Sequence, residues 1–455
     1  MITFNRRSFI KSAAASLGAA AMGQSATAKV KNHFAPKAKN VIFLHMVGAP
    51  SHLDLFDYKP ELNKWHMKDA PEELYKGKKF AFITGKPKLY GSPYKFEKCG
   101  QSGHYISELL PNFKKVADEV SFIRSVHTKE FNHAPAQLAF HTGLNRQGNP
   151  SIGSWISYAL GSENRNLPGY VVMISGNVPG AGAQLWNNGF LPSIHQGVEF
   201  RNNGDPVLFL SDPKGMNRNH KRDMISDINA LNREAYRKSK DPEILTRISQ
   251  YDLAYRMQDS VPELTDISKE PQHIRDMYSK NTFGRQCLQA RRLVEKGVRF
   301  VELFNEGWDH HSGLNKNLPK KCKEVDQNIT ALILDLKQRG LLEETLIVWG
   351  AEFGRTPLLE DRNGSGNINL SGRDHHKDAF TIWMAGGGLK GGASYGSSDD
   401  LGYYTNENPV EIRDVHATIM HQLGLNHEKV SYKYMGLDQR LTGIEEAHIL
   451  NDIIA

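Results

Sequence analysis

The chain is poor in cysteine: three residues, Cys99, Cys287 and Cys322, in 455. They are far apart, form no CxxC pair and are odd in number, so at most one disulfide forms, a thiolate metal site is not expected, and any metal is expected on His, Asp and Glu. Long apolar runs are missing too. No stretch reaches the roughly eighteen residues that a bilayer span needs, which argues against an integral membrane protein. The net charge of +7 is modest for this length. No dense Lys/Arg stripe with interleaved aromatics appears, so nucleic acid is not an expected partner. Internal repeats and long low-complexity tracts are also lacking.

The amino terminus has a recognisable order. Asn5-Arg6-Arg7-Ser8-Phe9-Ile10-Lys11 is followed by a mild apolar stretch from Ala13 to Met22 and by Ala26-Thr27-Ala28. A charged start, a short apolar middle and a small-residue A-x-A end describe a removable signal, and the arginine pair selects the twin-arginine route. The expectation is a signal over residues 1–28, the twin-arginine translocase as a partner during export, and a periplasmic or extracellular protein that folds before it crosses.

Lys39 to Met46 (KNVIFLHM) is nearly continuous in apolar character and reads as a buried, parallel strand ending in the turn Gly48-Ala49-Pro50-Ser51. Val120 to Ile123, Tyr170 to Ile174, Arg299 to Phe304, Thr345 to Trp349 and Phe380 to Ala385 read as further strands. Between them, Val325, Ile329, Leu332, Leu334 and Leu336 recur at helical spacing within Asn317 to Arg339. Strands alternating with helices predict an α/β fold, a mostly parallel sheet with helices on both faces. The polar stretch from Pro213 to Lys280 reads as a helical insertion in one large domain over 29–455.

In such a sheet, ligands sit beyond the carboxyl ends of the strands. Ser51, His52, Asp54 and Asp57 follow the first strand; Asp309, His310 and His311 follow RFVELF; Glu352 and Arg355 follow TLIVW; Asp374, His375 and His376 precede FTIWMA. A single Asp or His at a strand end is more often a cap or a packed side chain. Recurrence at four strand ends shifts the balance toward a metal site. Mixed imidazole and carboxylate ligands suit zinc or manganese, as one ion or two. Ala385-Gly386-Gly387-Gly388-Leu389-Lys390-Gly391-Gly392 lacks the GxxxxGK[ST] order and reads as a backbone turn.

The strings MVGAPSHLDLFDYKP, HTKEFNHAPAQLAFHTG, GWDHHSG, WGAEFGRTP and GRDHHKDAFTIWMAGGGLKGG, with the closing RDVHATIMHQLGL, resemble the bacterial domain-of-unknown-function 1501 family. That family consists of twin-arginine exported relatives of alkaline phosphatases and sulfatases. The resemblance spans the whole chain after the signal and implies an alkaline-phosphatase-like three-layer α/β/α sandwich with a metal centre. It implies Asp54, Asp309, His311, Glu352, Asp374 and His375 as metal ligands. Arg355 and Arg373 are candidates to clamp an anionic group.

Two departures qualify the chemistry. Where sulfatases open a C-x-P-S-R motif with the residue that becomes formylglycine, this chain has His133-Ala134-Pro135-Ala136-Gln137, so a formylglycine mechanism is not expected. His133 is the catalytic candidate, open between metal ligand, covalent nucleophile, general base and filler of a lost nucleophile's space. Thr128 and Asn132 are weaker candidates, and His127 and His141 read as structural. Where the phosphatases carry Asp-His-Gly, this chain has Glu352-Phe353-Gly354, one carboxylate without the histidine. The expected activity is metal-dependent hydrolysis of a phosphate or sulfate ester, including one carried on a polysaccharide. The alternative is a catalytically inactive relative serving as an envelope binding or scaffold protein.

Overall fold

The computed structural model describes residues 32–455 apart from 209, 213, 363 and 365. The expected export signal, residues 1–28, lies outside the described residues, as does Pro213 at the start of the expected insertion.

Among the described residues, nine strands build the central sheet: β1 (Asn40–Val47), β2 (Val120–His127), β3 (Tyr170–Ser175), β4 (Val198–Phe200), β5 (Phe300–Glu306), β6 (Thr345–Gly350), β7 (Phe380–Gly386), β8 (Ser394–Tyr395) and β9 (Val410–Glu411). Their order is β8-β2-β7-β6-β1-β5-β3-β4, with β9 also on β2. β1 is central. Its Leu44 lies opposite Leu303 of β5 and Trp349 of β6, both in parallel register. β7 alone runs against its neighbours β2 and β6. This gives a mixed α/β fold with a mostly parallel central sheet.

The strands are apolar on both faces because both faces are covered. All eight residues of β1 are buried. Val41 and Phe43 point into one core with helices α1 (His133–Thr142), α2 (Ile152–Leu160) and α7 (Ile412–Gln422). Ile42, Leu44 and Met46 point into the other, with α5 (Thr282–Glu295) and α6 (Leu314–Gln338). Of the residues read from the sequence as a helical stripe, Val325, Ile329, Leu332 and Leu336 are buried on α6, whereas Leu334 lies off that face and is only half-buried. In the polar stretch, α3 (Arg218–Ser239) and α4 (Pro242–Thr265) form a helical pair. Only α4 reaches the core, through Met257, Val261 and Leu264. α3 rides outside it, with only Ile225 and Asn229 buried, which accounts for its polarity.

Because β7 is antiparallel, the chain enters it at the rim where the parallel strands end. Loops after β1, β2, β5 and β6 and the segment leading into β7 therefore meet at one edge. Among the described residues, no helix is long and apolar enough to cross a membrane.

Phe43 is fully buried against the rings of Phe140 and Phe300. Phe43→Ala should cost about 3–5 kcal/mol, read as a lower urea midpoint with an unchanged slope; a loss under about 1 kcal/mol would contradict the packing described.

Candidate metal centre

Asp309 is the hub. The chain leaves β5 through Gly307 and the buried Trp308, whose indole Nε1 donates to Asn305 Oδ1 at 2.9 Å. Gly48, just after β1, lies against this loop: its φ is +102°, and a Cβ there would fall 2.6 Å from the Asp309 nitrogen. Only glycine meets both conditions without strain. Asp309 Oδ1 lies 2.9 Å from His311 Nε2, 3.4 Å from His133 Nε2 and 3.6 Å from His375 Nε2. These four residues each offer a ligand atom within 4.8 Å of the others. They come from the loop after β5, the start of α1 and the segment before β7.

The far side of each ring fixes what the near side can do. His133 Nδ1 lies 2.7 Å from Glu352 Oε1, His311 Nδ1 lies 2.6 Å from Glu360 Oε2, and His375 Nδ1 lies 2.7 Å from the Phe131 carbonyl oxygen. A carbonyl can only accept, so His375 carries its proton on Nδ1. Carboxylates impose the same tautomer on the other two rings. Each neutral ring therefore turns an Nε2 lone pair inward, and His311 Nε2 and His375 Nε2 stand 2.9 Å apart. Two lone pairs at that distance repel unless a proton or a cation lies between them. The three imidazoles and one carboxylate match a zinc-type donor set, and each imidazole is anchored through its other nitrogen as in metal sites generally.

In the metal-free fold the same negative charge attracts protons in place of a cation. Burial opposes charge on Asp309, yet the three imidazoles beside it and the Arg355 guanidinium outweigh it and hold the carboxyl well below its usual range. Burial likewise opposes protonation of His133, but the Asp309 and Glu352 carboxylates raise it from 6.5 to about 9. Burial lowers His375. Phe353 packs on the rings of both His133 and His375. Phe82 sets its ring against His311 at 4.5 Å, with the Arg362 guanidinium 3.6 Å above it.

The structure divides the residues expected from sequence. It brings Asp309, His311, His375 and His133 together, sets Asp374 with His311 and Glu360 in a second group of possible ligands, and leaves Asp54 and Glu352 behind them. Asp54 is sealed in the interior, paired with Arg373 Nε at 2.8 Å and accepting from Ser51 Oγ at 2.6 Å. Asp374 Oδ2 accepts from the Phe82 and Ile83 nitrogens at 2.7 and 2.9 Å and so anchors the loop that carries Phe82. Glu352 is fully buried and faces the outer nitrogen of His133 rather than the shared centre.

Both arginines are braces. Arg355 donates to the Ala49 and Arg373 carbonyls at 2.9 and 3.0 Å, to the Gly48 carbonyl, and to Asp309 Oδ1 at 2.5 Å. Arg373 donates to the Tyr90 carbonyl at 2.7 Å besides holding Asp54. Both are buried, so neither presents a clamp to an outside anion. Glu360 and the Phe131 carbonyl escaped the sequence reading: Glu360 follows no strand, and a backbone oxygen leaves no mark in a sequence.

One pH dependence follows. Since His133 rises to about 9 in the metal-free fold from an ordinary 6.5, its protonation stabilises that fold fully below pH 6.5, and the contribution is lost as pH climbs through 9. Thermal unfolding of chelator-treated protein should show wild type and His133→Asn furthest apart below pH 6.5 and converging toward pH 9; a constant gap would contradict the charge network described.

No curated protein matches the chain. Among solved structures it is similar to the PsFucS1 sulfatase from Pseudoalteromonas sp., with 13% identity and a TM-score of 0.36 over 94% of this chain and 73% of that one. A TAB5 alkaline phosphatase mutant with bound Mg aligns at 11% identity and a TM-score of 0.34, over 86% of this chain and 99% of that one. A protein in the alkaline phosphatase superfamily from Vibrio parahaemolyticus aligns at 10% identity and a TM-score of 0.38, over 88% of this chain and 70% of that one. A family profile matches residues 38–454, nearly all of the described chain, and the protein belongs to the family described as "Protein of unknown function (DUF1501)".

Proposed function

We propose that this protein is a metal-dependent hydrolase of phosphate or sulfate esters in which His133, Asp309, His311 and His375 hold a zinc or manganese ion. The observation that supports this most directly is the three Nε2 atoms and one carboxylate oxygen converging while every outer ring nitrogen is held by an acceptor. When bound, such an ion supplies Lewis acidity toward an ester oxygen and toward water.

The chain's own residues prepare that chemistry. Asp309 contributes the negative charge, and Arg355 braces its carboxylate from the protein side. Glu352, Glu360 and the Phe131 carbonyl keep the rings in one tautomer and one orientation, so no reorganisation is needed when an anionic ester arrives. Phe82 and Phe353 flank the imidazoles and limit water at their faces. Both guanidiniums are buried and turned toward protein carbonyls and carboxylates, so the ester anion would be recognised through the cation itself. A polysaccharide-borne ester fits a site on an open rim where Asp309 is 44% exposed. The paired Arg6-Arg7 and Ala26-Thr27-Ala28 support a periplasmic or extracellular place of action.

One observation favours a second reading, a binding protein without turnover: the buried arginines leave no dedicated clamp for a transferring group. Elemental analysis of protein exported through its own signal, followed by assays on aryl phosphate, phosphodiester and aryl sulfate, separates the two. The hydrolase reading expects about one ion per chain and ester cleavage that falls about 100-fold or more in Asp309→Asn, with metal content falling in parallel. A metal-loaded protein inert toward all three substrates would favour the binding protein. Absence of stoichiometric metal would overturn the metal centre.

A further inference from the structure

Behind the metal centre, ionisable groups run through the core without interruption. Glu352 Oε2 lies 2.9 Å from His45 Nε2, and His45 Nδ1 lies 2.5 Å from His141 Nε2. His141 Nδ1 lies 2.8 Å from Glu302 Oε1. Tyr170 donates its hydroxyl to Glu302 Oε2. His45, His141, Glu302 and Glu352 have no exposed surface, and Tyr170 has almost none. They come from β1, α1, β5, the loop after β6 and β3, so the chain crosses three neighbouring strands of the sheet.

This is an expensive way to fill a core. Two carboxylates and two imidazoles sit among Phe43, Phe140 and Phe304, where apolar side chains of similar size would cost no desolvation. The contacts also have a direction. Each outer ring nitrogen faces a carboxylate oxygen, and the nitrogens between the rings need one proton to approach so closely. Tyr170 closes the far end inside the protein, so the chain gives protons no path to solvent. What it does reach is Glu352, whose other oxygen accepts from His133 Nδ1, from Gln137 Nε2 at 3.1 Å and from the Gly48 nitrogen at 3.1 Å.

We infer that Tyr170, Glu302, His141 and His45 form a buried positioning relay that acts through Glu352 to hold His133 with its Nδ1 proton outward and its Nε2 lone pair in the cation site. The inference rests on the metal-holding role proposed above. The relay keeps Glu352 in a single orientation as an acceptor, and Glu352 in turn fixes the His133 tautomer. None of the four inner residues touches the cation site, so any effect they have on it must pass along the chain.

Cobalt(II) substitution tests this, because the visible spectrum of the bound ion reports ligand geometry independently of turnover. Glu352→Gln should weaken cobalt and zinc binding by about 10–100-fold, as loss of a ligand's anchoring partner does. His45→Gln and Glu302→Gln should give progressively smaller losses, each with a shifted cobalt spectrum in a folded protein. Tyr170→Phe removes only the terminal hydroxyl and should give the smallest spectral shift; it reads the relay should Glu302→Gln fail to fold. Ile42→Val, which loosens β1 on its opposite face, should leave affinity and spectrum unchanged. Wild-type affinity and spectrum in folded His45→Gln together with Glu302→Gln or Tyr170→Phe would overturn the relay alone. A wild-type chain that takes up neither cobalt nor zinc would remove the proposed function and the relay together.

Discussion

The outer hydrogen bonds of three histidines organise everything else at this rim. An imidazole with both nitrogens free can rotate, change tautomer or take a second proton. Once its Nδ1 is committed to a carboxylate or a carbonyl, its Nε2 becomes a fixed lone pair. Glu352, Glu360 and the Phe131 carbonyl make that commitment for His133, His311 and His375. Asp309 then gathers the three inward nitrogens around one oxygen.

The fold's contribution is to deliver these groups to one edge. Parallel strands end on the same side, which explains the loops after β1, β5 and β6. The antiparallel β7 extends the principle: its beginning lies at that edge, so His375, which precedes a strand rather than following one, joins residues that follow strands. Buried arginine contacts tie the rim together. Asp54 with Arg373, and Arg355 with the Gly48 and Ala49 carbonyls, tie the loop after β1 to the segments after β6 and before β7. Asp54, Arg355 and Arg373, which look like a ligand and anion clamps in one dimension, serve in three dimensions as struts at this rim.

Much of the fold was legible because burial leaves a strong pattern. KNVIFLHM, RFVELF, TLIVW and FTIWMA announce strands covered on both faces, and Val325, Ile329, Leu332 and Leu336 announce one face of a helix. The short edge strands β4, β8 and β9 carry too few residues to show any period. The candidate site was legible as a neighbourhood: recurring Asp and His at strand ends named Asp309, His311 and His375, and a departure from a related motif drew attention to His133. Two further signals were present but easily passed over. His45 and Glu302 interrupt otherwise apolar strands, and such interruptions in a buried run must be answered by partners elsewhere.

By itself the sequence determined which segments must be buried, how they alternate and which side chains capable of holding a cation stand at their ends. These are properties of residue order, set by hydrophobic periodicity and by the chemistry of each side chain. Only the tertiary structure decided which of those side chains face a common point and which are spent on one another. That choice depends on hydrogen bonds between residues hundreds of positions apart, as with His45 and Glu352 or Asp54 and Arg373. Whether a carboxylate meets an imidazole or a guanidinium is fixed by ångström-scale packing, which residue order alone does not encode locally.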